Sequence, residues 1–213
     1  MSQPGKEPDF SVKVALIGST GVGKTCIIKR FTDNHFDPNT RSTDGGSFSQ
    51  KFLEINNKTI LLNLWDTAGQ ERFRSIGIHF YKEAYIVCLV YDITNLESFN
   101  DLKEKWYEDL KAHGEKYTVV AVVGCKSDLY EKEEVPEDTA REYAKSINAT
   151  YMLTSAKTGD NINNLFDTLA RQYLGPEFTK KVEEMKKDKG EVTKVTKEDS
   201  KKDKNNKKKV AVI

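Results

Sequence analysis

Lys24-Thr25 closes the stretch Gly18-Ser19-Thr20-Gly21-Val22-Gly23. The spacing fits G-x-x-x-x-G-K-[ST], a loop built to wrap a phosphate chain. Gly18 and Gly23 leave out Cβ where backbone N–H groups must turn toward phosphate oxygens. Lys24 brings a point positive charge to the β- and γ-phosphates, and the Thr25 hydroxyl suits one position on Mg²⁺. Ser19, Thr20, Gly21, Val22, Gly23, Lys24, Thr25 and Cys26 are therefore the candidate phosphate-binding residues. Thr20 puts a side chain where a γ-phosphate is to lie.

Asp66-Thr67-Ala68-Gly69-Gln70 carries a second set of useful groups. An Asp at a strand end beside a phosphate loop can hold Mg²⁺ through water. Gly69 lets a backbone N–H approach the γ-phosphate. Gln70 carries both a donor and an acceptor, so it can orient an attacking water. A third hydroxyl, Thr43, stands 18 residues after Thr25 in a loop with no periodicity, residues 34–46. From there it could reach the same Mg²⁺ while a γ-phosphate is present, and the loop would be released when that phosphate is lost. A solvated side chain is the alternative for Thr43.

Lys126-Ser127-Asp128 and Thr154-Ser155-Ala156-Lys157 decide the base. A carboxylate at Asp128 can accept from N1–H and the 2-amino group of guanine. Adenine has neither donor and would leave that carboxylate unpaired. The Lys126 stem and the Phe36 ring can cover the two faces of the base. The Ala156 N–H can donate to guanine O6.

These groups need strand ends and helix starts to hold them. Val12-Lys13-Val14-Ala15-Leu16-Ile17 is apolar and β-branched, and a helix follows from about Lys24 to Asp33. Strand, glycine loop and helix point a helix N-terminus at anions. Residues 47–55 and 58–65 flank Asn56-Asn57 as a hairpin. A helix is expected over about 72–82 and buried strands over 84–91 and 117–123. Leu96, Phe99, Leu102, Trp106 and Leu110 recur at helical spacing, so 96–112 reads as one amphipathic helix. Pro136 starts another to about Ile147. Tyr151–Thr154 is the last strand, and Ile162–Leu174 the last clear helix before Gly175-Pro176, with a short one possible at 177–187. The prediction is an α/β fold with a mostly parallel sheet and one antiparallel edge strand. In such sheets the loops after the strands share one crevice. The polar clusters fall in those loops.

A chain of 213 residues with 37% hydrophobic content suits one domain of about 170–180 residues plus a tail. The expected division is a polar arm at 1–10, a domain at 11–178 and a basic, mostly unstructured tail at 179–213. Lys180–Ile213 holds 13 lysines and seven acidic residues, an excess of six positive charges, which leaves the remainder at minus five. That balance favours an anionic surface over nucleic acid as the tail's partner. No apolar run is long enough to span a membrane, and the N-terminus lacks a secretory signal. Ser2 excludes N-myristoylation. Cys26, Cys88 and Cys125 have no metal spacing and read as free thiols in a reducing cytoplasmic setting.

Taken with Trp65-Asp66-Thr67-Ala68-Gly69-Gln70-Glu71-Arg72-Phe73 and Leu89-Val90-Tyr91-Asp92-Ile93-Thr94, these motifs resemble a Ras-superfamily small GTPase, most closely its Rab branch. The likeness covers about residues 10–178. It implies a P-loop small G domain with a six-stranded sheet and about five helices. It implies GTP/GDP and Mg²⁺ as bound ligands and slow intrinsic GTP hydrolysis. Thr25, Thr43 and Asp66 (through water) would serve the metal, and Lys24 and Gln70 would be the catalytic residues. The implied partners are exchange factors, GTPase-activating proteins, and effectors reading residues 36–48 and 66–82. The expected form is a monomer acting in membrane traffic at the cytosolic face of endomembranes.

Three positions depart from the resemblance. Cys125 stands where the family has an Asn that bonds the purine N7 and ties this loop to the phosphate loop. A thiol bonds weakly, so base affinity should fall by about 1–3 kcal/mol and exchange should quicken. Asp44 stands where the family has an apolar residue that effectors touch. Val210, in Lys207-Lys208-Lys209-Val210-Ala211-Val212-Ile213, replaces the cysteine of a prenylation signal, which leaves membrane contact open. The competing reading is a soluble guanine-nucleotide-binding module with impaired hydrolysis or fast exchange. Asp128 and Ser155–Lys157 argue against a P-loop kinase or ATPase.

Overall fold

A computed structural model describes residues 7–43, 45–67, 81–115 and 118–175. Two units are distinguished, Met1–Tyr173 and Leu174–Ile213. In chain order the strands are β1 (Phe10–Ile17), β2 (Ser47–Ile55), β3 (Lys58–Asp66), β4 (Ile86–Asp92), β5 (Val119–Cys125) and β6 (Thr150–Leu153). The described helices are α1 (Lys24–Asp33), α2 (Leu96–Asp101), α3 (Tyr107–His113), α4 (Glu137–Ser146) and α5 (Ile162–Tyr173). Across the single sheet the strands lie in the order β2-β3-β1-β4-β5-β6. Among the described residues only the β2–β3 pairing is antiparallel, so the expected edge strand is β2.

Every residue of β4 is buried, which is why Ile86–Asp92 reads as a nearly continuous apolar run. One sheet face is covered by α1 and α5, where Phe31 and Phe166 stack with ring centroids 3.9 Å apart. The opposite face carries Ile17, Leu89, Tyr91 and Val122 against Phe99, Leu102, Trp106 and Ala140 from α2 through α4. The β2–β3 hairpin turns at Asn56 and Asn57, with φ of 50° and 61°. A two-residue loop with both φ values positive twists with its strands, and Asn tolerates that region better than most side chains. The register sets Ser47 opposite Asp66, so the far ends of the hairpin lie side by side.

The expected single helix over 96–112 is interrupted. α2 passes into a π turn, Leu102–Trp106, and then into α3. Leu96, expected on the core stripe, is 47% exposed. Asn95 caps α2 by accepting the Ser98 N–H at 3.0 Å, which puts Leu96 at the helix mouth rather than over the sheet. A 3₁₀ segment, Ser127–Lys132, follows β5, where no element was expected. The expected helix at 72–82 lies outside the described residues except at Tyr81 and Lys82, and the one at 177–187 lies wholly outside them. Among the described residues no helix is long and apolar enough to cross a membrane.

Candidate nucleotide site

β1, β3, β4, β5 and β6 all run the same way, so Ile17, Asp66, Asp92, Cys125 and Leu153 end at one rim. β1 lies between β3 and β4, with the chain moving first to one side and then to the other. That reversal is where open α/β sheets place their ligands. The loop after β1 turns under two glycines. Gly18 has φ +150°, and a Cβ there would run into the Val90 carbonyl of β4. Its need for glycine is thus close backbone packing as well as access for phosphate. Gly23, at φ +113°, is the N-cap of α1.

Lys24 is buried, 5% exposed. Its Nζ donates to the carbonyls of Gly18 and Ser19, both at 2.8 Å. Those bonds use two of the three ammonium donors, leaving one for an anion. Burial lowers its pKa to about 8, with Asp66 opposing that shift. Thr25 Oγ1 donates to Asp66 Oδ2 at 2.6 Å. Thr43 Oγ1 donates to the same oxygen at 3.1 Å and stands 2.9 Å from Thr25 Oγ1. Among the described residues Asp66 Oδ1 is buried without a hydrogen-bond partner. Burial raises the Asp66 carboxyl pKa, while hydroxyls and Lys24 pull it down. Two hydroxyls and one carboxylate, whose Oδ1 has no hydrogen-bond partner among the described residues, form a hard, oxygen-only donor set, which fits Mg²⁺. When bound, such an ion supplies positive charge against phosphate oxygens.

A cavity of about 380 Å³ continues from this loop toward β5 and β6. Phe36, Lys126, Asp128, Ala156 and Lys157 line it, as do Gly21, Gly23 and Cys26. Asp128 is braced from two sides, by Ser155 Oγ donating to Oδ1 at 2.6 Å and by Lys157 Nζ at 3.6 Å from Oδ2. Lys126 takes the left-handed region at φ 64°. Its Nζ lies 2.5 Å from Asp92 Oδ2, which directs the ammonium away while the stem borders the cavity. The side chains of Ser19 and Val22 point elsewhere. Val22 is buried, the Ser19 hydroxyl meets α2, and neither residue lines the cavity. Gly69 and Gln70 lie outside the described residues.

Cys125 ends β5 and is buried, 3% exposed. A Cβ on Gly23 would lie 3.6 Å from its Sγ, so the thiol borders the phosphate loop by packing. Thr154 Oγ1 approaches Sγ at 3.9 Å. Burial pushes the thiol up to about 12.

Sequence reasoning missed Arg30. Its Nε donates to the Ala156 carbonyl at 2.6 Å and its Nη2 to the Lys157 carbonyl at 2.9 Å. Its Nη1 reaches the Asn34 carbonyl at 3.0 Å. The fork ties α1, which the glycine loop launches, to the loop that follows β6. One signal was available: Arg30 stands four residues after Cys26 and so shares its helix face. Asp92, the partner of Lys126, was also missed.

The Ras family model matches residues 13–175. Over 168 residues the chain is 46% identical to the Ras-related protein Rab-31 of Mus musculus, covering 78% of this chain and 86% of the relative. It is 45% identical to the human Ras-related protein Rab-22A over 161 residues, 76% of this chain and 82% of the relative. With the human Ras-related protein Rab-30 the figure is 44% over 166 residues, 78% and 81% respectively. A phosphate loop, an oxygen cluster and a braced carboxylate at one sheet rim are thus joined to close kinship along the same residues, and the chain belongs to the Ras family of small GTPases, in its Rab branch.

Proposed function

We propose that this GTPase works as a switch in membrane traffic, with the loop around Thr43 reporting which nucleotide is bound. The observation that carries this reading is the meeting of Thr25, Thr43 and Asp66 within 3.1 Å. It joins a long surface loop to the phosphate end through a single cluster. With GTP bound, Thr25, Thr43 and Asp66, the last through water, would hold Mg²⁺. Loss of the γ-phosphate frees Thr43 and its loop. Gln70 orients the attacking water, and Lys24 offsets charge developing on the transferred phosphate. No covalent intermediate is needed. Asp128, Lys126, Phe36 and the Ser155–Lys157 loop select guanine. Phe48 and Phe52, 48% and 43% exposed, support an effector surface on the hairpin between residues 36–48 and 66–82. Exchange factors and activating proteins act at the same loops, with the protein as a monomer at the cytosolic face of endomembranes.

The test is GTP turnover and nucleotide release, measured for the wild type and for Gln70→Leu. Gln70→Leu should slow hydrolysis by about tenfold or more; an unchanged rate would remove Gln70 from its role. Fluorescent GDP should bind far better than ADP, and equal binding would sink the assignment of Asp128. A second reading is favoured by the packed thiol of Cys125. In it, base anchoring is weak enough that rapid exchange keeps the protein loaded, and it serves as a nucleotide-dependent binding module. A slow GDP off-rate would dispose of that alternative.

A further inference from the structure

The π turn at Leu102–Trp106 lies beside the phosphate loop. Tyr107 N–H donates to the Leu102 carbonyl, the five-residue bond that defines such a turn. Asp101 and Trp106 stand at its two ends. In a straight α-helix, residues five apart point about 140° away from each other. Here both reach one atom. Ser19 Oγ donates to Asp101 Oδ2 at 3.0 Å, and Trp106 Nε1 donates to Ser19 Oγ at 3.4 Å. Asp101 Oδ1 is fixed in turn by Lys105 at 2.9 Å. The same Ser19 uses its carbonyl to anchor Lys24 Nζ at 2.8 Å. Ser19 therefore links the helix on one side to the buried cation on the other.

We propose that Asp101 and Trp106 are positioning residues for GTP hydrolysis, acting through Ser19 to hold Lys24 in place, with the π turn as the device that aims both at Ser19. The proposal rests on the GTPase reading. Chemistry at the γ-phosphate is more sensitive to the placement of Lys24 than is nucleotide binding. A misplacement of about 1 Å can cost two orders of magnitude in rate, while Gly18 still anchors the ammonium and the loop N–H groups still wrap the β-phosphate. The helix thus tunes rate rather than affinity.

The experiment is single-turnover hydrolysis of bound GTP alongside GDP release, for the full chain and for Ser19→Ala, Trp106→Phe and Asp101→Ala. Asp101→Asn is the conservative variant, since its amide oxygen can still accept from Ser19. Hydrolysis should fall about tenfold in Ser19→Ala, and about threefold to tenfold in Trp106→Phe and Asp101→Ala, with GDP release within about twofold of wild type. Asp101→Asn should recover most of the loss. In the Ser19→Ala background neither Trp106→Phe nor Asp101→Ala should slow hydrolysis further, because the path is already cut. Wild-type hydrolysis in Ser19→Ala would overturn the proposal. So would parallel changes in hydrolysis and GDP release, or losses that multiply in the double variants. Absence of any GTP turnover in the wild type would instead overturn the GTPase reading beneath it.

Discussion

The two ends of the proposed nucleotide site are built differently. At the phosphate end, polar atoms meet over short distances: Lys24 on two carbonyls at 2.8 Å, and Thr25 on Asp66 at 2.6 Å. At the base end, Asp128 is equally well braced by Ser155 at 2.6 Å, but Cys125 meets the phosphate loop only as an apolar neighbour. Arg30 supplies hydrogen bonds between the two ends. A site of this kind can keep its chemistry intact while its grip on the base is set separately.

The largest break in that comparison comes from Lys24→Met. Removing the cation should weaken GDP by about 3 kcal/mol, roughly a hundredfold or more, measured by competition binding. The nucleotide-free protein should unfold at a higher temperature in the same variant, because burial already disfavours the charge. Loss of binding together with loss of stability would contradict the cost assigned to that buried ammonium. Next, Cys125→Asn should slow GDP release by about fivefold to a hundredfold, the equivalent of one or two hydrogen bonds. A release rate equal to wild type would show that the base end is not the weak end.

Arg30→Met should speed GDP release by roughly tenfold, since two carbonyls lose a charged donor. ADP affinity should stay unchanged, so guanine-over-adenine selectivity falls by the same factor. Equal loss for both nucleotides would place Arg30 in general stability instead. The smallest effect concerns pH. Cys88 and Cys125 are held near 12 by burial, against an ordinary 9.0. The folded chain keeps protons there that the unfolded chain gives up above pH 9. Their contribution is therefore complete below pH 9 and is lost as pH rises from 9 through 12. Cys125→Asn should make unfolding free energy fall less steeply with pH over that window. An unchanged slope would mean that the thiol titrates normally.

Much of the candidate site was legible because each proposed job falls to a single residue type. Lys24, Thr25, Asp66 and Asp128 each sit at a strand end or helix start, and strand ends are what hydrophobic runs locate best. The hairpin at Asn56-Asn57 was legible for the same reason, as a two-residue turn with one solution. Arg30 was hidden because its partners are backbone carbonyls 126 and 127 positions away, and carbonyls have no signature in sequence. The π turn was hidden because Leu102, Trp106 and Leu110 keep helical spacing across it. The 3₁₀ segment after β5 depends on the left-handed Lys126, a backbone state that nothing in Lys126-Ser127-Asp128 announces.

The pairing of Ser47 with Asp66 at the open end of the β2–β3 hairpin has a mechanical meaning. The strand that comes in from Thr43 and the strand that goes out toward Gln70 are yoked at one crosspiece. They are joined by ladder hydrogen bonds whose register cannot slip by one residue without turning every side chain over. A force applied to either strand at that crosspiece is shared by the other. The hairpin is thus a two-armed lever, bent at Asn56-Asn57, with both tips beside the cluster of Thr25, Thr43 and Asp66.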